Sequence, residues 1–540
     1  MSGNADTGRQ QVQRLSRRIQ RLADIGIALS AEKDLAVLFE MVVAEARRLT
    51  RADAGTLYIV NDEHTHLDFT VLHNDTMDTR MGGDSGNPVT LPPVPLYLED
   101  GGENHANVSS HVALAREMVN IPDVYEAEGF DFTGTRKYDA STGYRSRSML
   151  VLPMVNHEDD IIGVLQLLNA KDGDTGEVTA FGEETVQLVS ALASQAAVAL
   201  TNAQLIRDLK RLLYAFIRSI ATAIDAKSPY TKGHIDRVVD VTMRIAEAVN
   251  AQTEGPYAGV RLDDDELEEL RLAAWMHDVG KITTPEYVVD KSTKLETIFD
   301  RIELVRMRFA YIEKSMQAAL LERLLSMAAE GAGTEAMREA AAEGERLRAE
   351  LAEDLETVLA ANNPGEFMSD ERIAAVRAVA AKTYSMDGET RPYLTEEEVE
   401  NLCIRKGTLT DAERGTIEDH ARLTGEMLSQ LPFPKHLTRV PDYAAHHHEK
   451  LDGSGYPDGL TAEELPLQAR ILAVADVFEA LTAKDRPYKK PMPLTQALKI
   501  LGFMEKDGHI DADLLALFTA AGIPLDYGRE HLLPEQLDGS

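Results

Sequence analysis

The residues of this chain best suited to chemistry stand in one stretch, His446-His447-His448-Glu449-Lys450-Leu451-Asp452-Gly453-Ser454-Gly455-Tyr456-Pro457. A buried imidazole must be hydrogen-bonded or bound, so three in a row point to a metal ion whose charge offsets their burial. The glycines and the proline that follow are typical of a tight loop. The stretch predicts a helix end that delivers metal ligands beside a rigid loop. The alternative is a polar surface loop.

Further histidines and aspartates fall at separate places in the last three hundred residues. Beyond Asp225 the apolar spacing predicts an all-helical domain, and the candidate ligands on its other helices are His234, His277, Asp278, His420 and Asp476. Asp476 stands in an apolar helix, where a lone carboxylate is costly unless it is paired or ligating. Singly, His234 or His420 indicates no more than a core or surface histidine. Together these residues predict a metal site inside a helical bundle.

This set resembles the HD phosphohydrolases, and the stretch from His447 to Pro457 resembles their HD-GYP subfamily. Further matches are Tyr230-Thr231-Lys232-Gly233-His234 and residues 475–489, and the resemblance covers about residues 215–295 and 405–510. The resemblance implies a metal-dependent phosphodiesterase that hydrolyses cyclic di-GMP to linear pGpG, GMP or both. One alternative is an HD hydrolase of another cyclic nucleotide, such as a cyclic GMP-AMP dinucleotide. Another is a scaffold that senses cyclic di-GMP, or docks diguanylate cyclases through the Gly-Tyr-Pro loop.

The resemblance also implies a role for each site residue. One metal ion is assigned to His234, His277, Asp278 and Asp476, and the other to Asp278, His420, His447 and His448. Asp278 then bridges the ions, a hydroxide between them attacks phosphorus, and Lys281 stabilises the developing charge. Tyr456, Arg486 and Lys489 are expected to bind substrate, and His446 to be structural. The mixed histidine and carboxylate set suits transition metals, with iron or manganese expected.

One substitution bears on the number of ions. Some members of the family place Glu four residues before the first histidine and hold a third metal there. This chain has Tyr230 at that position, so two ions are expected rather than three.

The first two hundred residues predict an α+β domain with an antiparallel sheet. Helical spacing over 12–29 and 35–49 is followed by strand patterns at 54–60, 67–72, 149–153 and 161–168. With residues 142–150, 153–154 and 163–169, the order resembles the GAF sensory domain over about 25–205. The cyclic-nucleotide pattern of that family is only approximated, by Asn169, Lys171, Phe181, Glu183 and Glu184. The ligand of this domain is therefore unknown, and a ligand-free dimerisation module is the alternative.

The predicted domains are a tail and helix (1–24), the GAF domain (25–205), a linker helix (206–224), the HD-GYP domain (225–523) and a loosely ordered tail (524–540). Near-heptad spacing in the linker helix suggests a parallel homodimer. An insertion at about 296–405 predicts a hairpin of two long helices that turn near Gly331-Ala332-Gly333. It could be a lid, a dimer contact, a partner surface or an inert elaboration.

Composition narrows the function classes. The 540 residues carry a formal net charge of −34 at pH 7, which disfavours non-specific binding to nucleic acid. With a single cysteine, Cys403, no disulfide can form within the chain. The first twenty residues lack the apolar segment of a secretory signal, and no apolar run approaches the length of a membrane span. A cytoplasmic protein is expected.

Overall fold

The computed structural model describes residues 20–228, 233–365, 367–484 and 491–538. The described residues form two compact units that divide between Leu213 and Tyr214.

The first unit is an antiparallel sheet with helices on both faces, which confirms the predicted fold class. Its helices before the sheet are α1 (20–31) and α2 (Leu35–Thr50). The strands are β1 (Ala52–Val60), β2 (His66–Asn74), β3 (Thr79–Gly82), β4 (Val94–Pro95), β5 (Val119–Ile121), β6 (Met149–Val155), β7 (Ile161–Lys171) and β8 (Val178–Thr179). The main sheet order is β3-β2-β1-β7-β6-β5. Between the strands lie α3 (Val108–Ala115) and α4 (Thr133–Thr142).

The four predicted strands are the four long ones of the sheet. The short strands β3, β4, β5 and β8 and the helices α3 and α4 were missed, because two to four residues at a sheet edge show no alternating pattern. One face of the sheet packs against α1, α2 and the first half of α5 (Glu183–Asp225). Its core includes Val43, Leu57, Leu165 and Leu192.

The prediction that no apolar run approaches membrane-spanning length is wrong for the helix α5. Among the described residues it alone is long and apolar enough to cross a membrane. Half of its most apolar 18-residue window is buried in the structure. Val189, Leu192 and Ala196 fill the core beneath the sheet, which accounts for the apolar composition without a bilayer.

The second unit is mostly helical, again as predicted. Its helices after α5 are α6 (His234–Ala251), α7 (Asp264–Met276), α8 (Glu286–Val289), α9 (Ile302–Ala329), α10 (Thr334–Asn362), α11 (Asp370–Ala380), α12 (Glu396–Leu402), α13 (Asp411–Ser429), α14 (Val440–Ala445), α15 (Leu467–Thr482), α16 (Leu494–Lys506), α17 (Ala512–Ala520) and α18 (Ile523–His531). A short 3-10 helix covers Val279–Thr283.

The insertion contains the predicted helical hairpin, formed by α9 and α10. It has its own hydrophobic core, to which Val305, Phe309, Leu351 and Val358 contribute. It is not wholly helical, because β9 (Thr383–Met386) and β10 (Glu389–Pro392) form a small hairpin that the sequence did not predict.

A buried lysine joins the insertion to the helix that carries His420. The Lys291 side chain is fully buried, and its ammonium donates to Asn401 Oδ1 at 2.8 Å and to Glu413 Oε2 at 2.7 Å. Asn401 belongs to α12 and Glu413 to the first turn of α13. A buried ammonium requires such partners, so this contact fixes where α13 begins.

Residues 524–538 are folded, so the prediction of a loosely ordered tail is wrong for them. Tyr527 on α18 is fully buried, with its ring centroid 5.2 Å from that of Phe478. Ile523 and Tyr527 lie one helical turn apart and bury the same face. Two apolar residues among polar neighbours are too short a signal to be recognised from the sequence.

Candidate metal centre

Five helices of the second unit deliver the predicted metal ligands to one buried place. His234 is the first residue of α6, and His277 and Asp278 directly follow α7. His420 lies within α13, His447 and His448 follow α14, and Asp476 lies within α15. All but His448 are buried, and His448 is largely so. The structure therefore brings together all seven residues that the sequence singled out as metal ligands.

Three of the histidines are held in one tautomer. The Nδ1–H groups of His277 and His447 donate to the carbonyl oxygens of Ala274 and Ala444, both at 2.7 Å, and His420 Nδ1 donates to Ile417 O. In the neutral form of each ring Nε2 is then the lone-pair acceptor. These three Nε2 atoms and Asp278 Oδ1 are buried and have no hydrogen-bond partner among the described residues. Four orphaned acceptors facing one another fit a cation.

The ligand atoms form two groups with Asp278 between them. Nitrogen and oxygen atoms of His234, His277 and Asp476 lie within 4.8 Å of one another, as do nitrogen atoms of His420, His447 and His448. Asp278 Oδ2 is 3.4 Å from His277 Nε2 and 3.7 Å from His234 Nε2. Asp278 Oδ1 is 3.3 Å from His420 Nε2 and 3.9 Å from His447 Nε2. Each carboxylate oxygen thus faces one group, as in a carboxylate that bridges two ions.

The protonation states suit metal binding. Burial would raise the pKa of Asp278, but Lys281 and His277 hold it well below its ordinary value. Burial lowers the pKa of His448 to about 3 and that of His447 well below its ordinary value. Burial also acts to lower the pKa of His277, but the carboxylates of Asp278 and Asp476 raise it to about 9. A metal ion would supply the positive charge that these carboxylates otherwise draw from a proton on His277.

The structure describes only some of the other residues that the sequence singled out. Lys281 Nζ lies 2.6 Å from Asp278 Oδ2, and the Tyr456 ring lies 4.9 Å from that of His448. Arg486, Lys489 and Tyr230 lie outside the described residues. His446 is 2.9 Å from Asp442 and 3.0 Å from Asp458, so it joins α14 to the loop, in keeping with its expected structural role.

Sequence reasoning missed two carboxylates that support the site. Glu479 Oε2 lies 2.5 Å from His234 Nδ1, and its Oε1 accepts from Arg237 Nε at 2.6 Å, which orients the His234 ring. Glu449 accepts from the amides of Asp458, Gly459 and Leu460 at 2.7–3.0 Å, and so fixes the Gly-Tyr-Pro loop (residues 449–460). Glu479 could have been found, because it lies one turn after Asp476 in the same apolar helix.

Gly280 sets the distance between Asp278 and His420. Its amide donates to Thr424 Oγ1 at 3.0 Å, and that hydroxyl donates to His277 O at 3.0 Å. A Cβ on Gly280 would lie 2.0 Å from His420 O and 2.8 Å from Thr424 N. Both atoms are backbone of α13, so only glycine lets this helix approach the His277–Asp278 segment.

The first unit contains a cavity of about 480 Å³. Its lining is mostly apolar and aromatic and includes Tyr58, Phe69, Phe132 and Tyr144; its polar groups include Thr56, Ser109 and Gln166. No Lys or Arg stands among the lining residues. Asn169 and Lys171, which approximate the nucleotide-binding pattern, are bonded within the fold instead, to Tyr144 and Asp53 respectively.

We expect Gly280→Ala to weaken metal binding and to destabilise the second unit by about 1–3 kcal/mol, because α13 must move away from Asp278. The matched control is Gly415→Ala within α13, where an added Cβ meets nothing within 4 Å. Metal content after dialysis and thermal unfolding measure the two effects. Equal metal content in the two variants would contradict this account of Gly280.

Comparison with known proteins agrees with this division of the chain. The GAF domain family model matches residues 34–200, and two HD domain models match residues 231–414 and 396–514. Among solved structures, the GAF domain of an Acinetobacter phosphoenolpyruvate-protein phosphotransferase is similar at 14% identity and a TM-score of 0.26, over 36% of this chain and 98% of that one.

Several curated relatives match part of the chain. A 3'3'-cGAMP-specific phosphodiesterase (number 3) of Vibrio cholerae is 34% identical over 30% of this chain and 37% of its own length. A cyclic di-GMP phosphodiesterase of Pseudomonas aeruginosa is 39% identical over 22% of this chain and 28% of its own length. The cyclic di-GMP phosphodiesterase response regulator RpfG of Xanthomonas campestris is 43% identical over 19% of this chain and 26% of its own length. The chain thus spans little more than a third of the length of these relatives, or less. Taken with the family models, these matches show that the chain contains a GAF domain followed by an HD domain.

Proposed function

We propose that the second unit is a metal-dependent phosphodiesterase that hydrolyses cyclic di-GMP to linear pGpG, GMP or both. The observation that carries the proposal is the position of Asp278, with one carboxylate oxygen facing each of two ligand groups. Paired metal ions bridged in this way suit in-line displacement at phosphorus. The named activities of the relatives support this substrate class.

The residues divide the work of this reaction. Two divalent transition-metal ions, iron or manganese in the first instance, would acidify an attacking water and neutralise phosphate charge. His234, His277 and Asp476 would hold one ion, His420, His447 and His448 the other, and Asp278 both. Lys281, beside Asp278 and a quarter exposed, can stabilise the charge that develops on phosphate as the P–O3′ bond breaks. Tyr456, whose ring is tilted at 44° to that of His448, would line the substrate pocket.

A second candidate substrate is 3'3'-cGAMP, because one relative at 34% identity bears that activity in its name. The described site residues do not distinguish two guanines from a guanine and an adenine. Competition between the two dinucleotides for the same enzyme distinguishes these candidates.

The first test is cyclic di-GMP turnover, followed by chromatography, on anaerobically purified protein and its Asp278→Ala variant. We expect at least about a hundredfold loss of kcat in Asp278→Ala, because the bridging carboxylate is removed. Asp419→Ala is the matched control, since Asp419 precedes His420 but is exposed and paired with Arg422.

The outcome decides between catalysis and docking. Equal turnover in wild type and Asp278→Ala would contradict the proposed chemistry. No turnover of either dinucleotide by metal-loaded protein would instead favour a scaffold that docks diguanylate cyclases through the Gly-Tyr-Pro loop.

The GAF domain is proposed to bind a small regulatory ligand in its cavity. No Lys or Arg lines this cavity, and burial lowers the pKa of its one lining histidine, His73. Its other polar groups are mainly carboxamides and hydroxyls, which bind uncharged polar atoms as well as anions. We therefore favour an uncharged planar molecule over a cyclic nucleotide.

We expect indole, used as a neutral planar probe, to bind wild type in calorimetry, and cyclic GMP not to bind. Leu168→Trp should abolish the indole signal, because the larger ring fills the cavity. Leu212→Trp, at an exposed position on α5, is the control. Binding of cyclic GMP that Leu168→Trp removes would contradict an uncharged ligand.

A parallel homodimer through α5 is also proposed. Leu205, Leu209, Leu212 and Phe216 are 58–67% exposed and follow one another at spacings of four, three and four residues. This is a heptad seam, in which Asn202 falls at an a position. A buried Asn at that position favours two parallel strands in register.

We expect sedimentation to show a dimer for wild type and a monomer for Leu209→Glu, because the substitution places a charge in the seam. Leu321→Glu, an exposed leucine on α9, should remain dimeric. A monomeric wild type at micromolar concentration would contradict the homodimer.

We also propose that the protein is a cytoplasmic signalling protein, in keeping with its acidic composition.

A further inference from the structure

The residues that end α5 and follow it are bonded directly to the loop that carries Lys281. Lys227 Nζ donates to the carbonyl oxygens of Lys281 at 2.6 Å, Ile282 at 2.8 Å and Thr284 at 2.5 Å. These carbonyls stand at the end of the 3-10 helix Val279–Thr283, where backbone acceptors run out of helical partners, and the carbonyl of Lys281 also accepts from the Thr284 amide at 3.1 Å. The Lys227 ammonium therefore caps this helix from another part of the chain.

The Lys281 residue is consequently held from two sides. Its backbone carbonyl is bound by Lys227, and its side-chain ammonium lies 2.6 Å from Asp278 Oδ2. A shift of the carbonyl moves the Cα of Lys281 and so changes where its ammonium can reach. A lysine on a four-carbon stem has many rotamers, so its placement depends on such a fixed backbone.

The last residue of α5 is bonded to a second segment of the site. Asp225 Oδ2 accepts from the Gly233 amide at 2.9 Å. Gly233 is the N-cap of α6 and has a φ of 76°, a conformation that glycine adopts most readily, and it has no side chain with which to cap the helix itself. Asp225 thus supplies the missing cap and fixes the turn directly before His234. The two contacts are independent of each other.

We infer that Lys227 and Asp225 are positioning residues of the metal site: Lys227 places the ammonium of Lys281, and Asp225 places the imidazole of His234. This inference rests on the proposed phosphodiesterase function for Lys227, whereas for Asp225 it rests only on metal binding. Asp225 is the last residue of α5, and Lys227 follows it by two residues.

A double-mutant cycle tests Lys227. We expect Lys227→Met to lower kcat about tenfold with KM changed less than twofold and metal content unchanged. In a Lys281→Ala background the same substitution should cause no further loss, because Lys227 acts through Lys281. Lys227→Arg, which keeps a donor, should restore at least half of the lost activity. An equal loss in both backgrounds would overturn the inference and leave Lys227 a purely structural role.

Metal binding tests Asp225 without any substrate. We expect Asp225→Ala to weaken one of two Mn²⁺ sites about tenfold in equilibrium dialysis and to leave the other unchanged. Asp236→Ala is the control, because it removes the same charge from an exposed position in the first turn of α6. Equal weakening in both variants, or none in Asp225→Ala, would overturn the assignment of Asp225. If neither dinucleotide is turned over, the proposed function fails while this result still stands.

Discussion

The structure of the second unit depends on one buried carboxylate. Asp278 is almost completely buried, its pKa is held well below the ordinary value by Lys281 and His277, and imidazole nitrogens face it. A buried charge must be paired, and the ammonium of Lys281 contacts only the Oδ2 atom of Asp278. The proposed pair of metal ions would satisfy Asp278 Oδ1 and the histidine Nε2 atoms at once. Stability of the fold and chemistry at the site would then have the same requirement.

The surrounding elements can be understood by what they do for this carboxylate. Gly280 and Thr424 bring α13 close enough for His420 to face Asp278. Glu479 orients His234 from behind, and Glu449 fixes the loop that places Tyr456 against His448. The fully buried Lys291 fixes the start of α13 and ties the insertion to it. Except for the contact of Glu449, each of these joins segments that are distant in the chain, so the site forms only when the helical domain has folded.

Much of this could be predicted from the sequence, because the signals were chemical types at unusual places. Adjacent histidines and a carboxylate in an apolar helix are costly unless they bind something, and the seven expected ligands converge. The four long strands followed from alternation, whereas the edge strands and the hairpin β9–β10 were too short to show it. The contact of Lys227 with carbonyls more than fifty residues away has no sequence pattern at all. Such tertiary hydrogen bonds to backbone are invisible until the fold is known.

The most direct test of the bridging role of Asp278 is the electron paramagnetic resonance spectrum of the protein loaded with Mn²⁺. Our account predicts two ions per chain at about 3.5–4 Å from each other, and hence an exchange-coupled signal. That coupling should disappear in Asp278→Ala. One ion per chain, or two ions without coupling in the wild-type protein, would contradict the account.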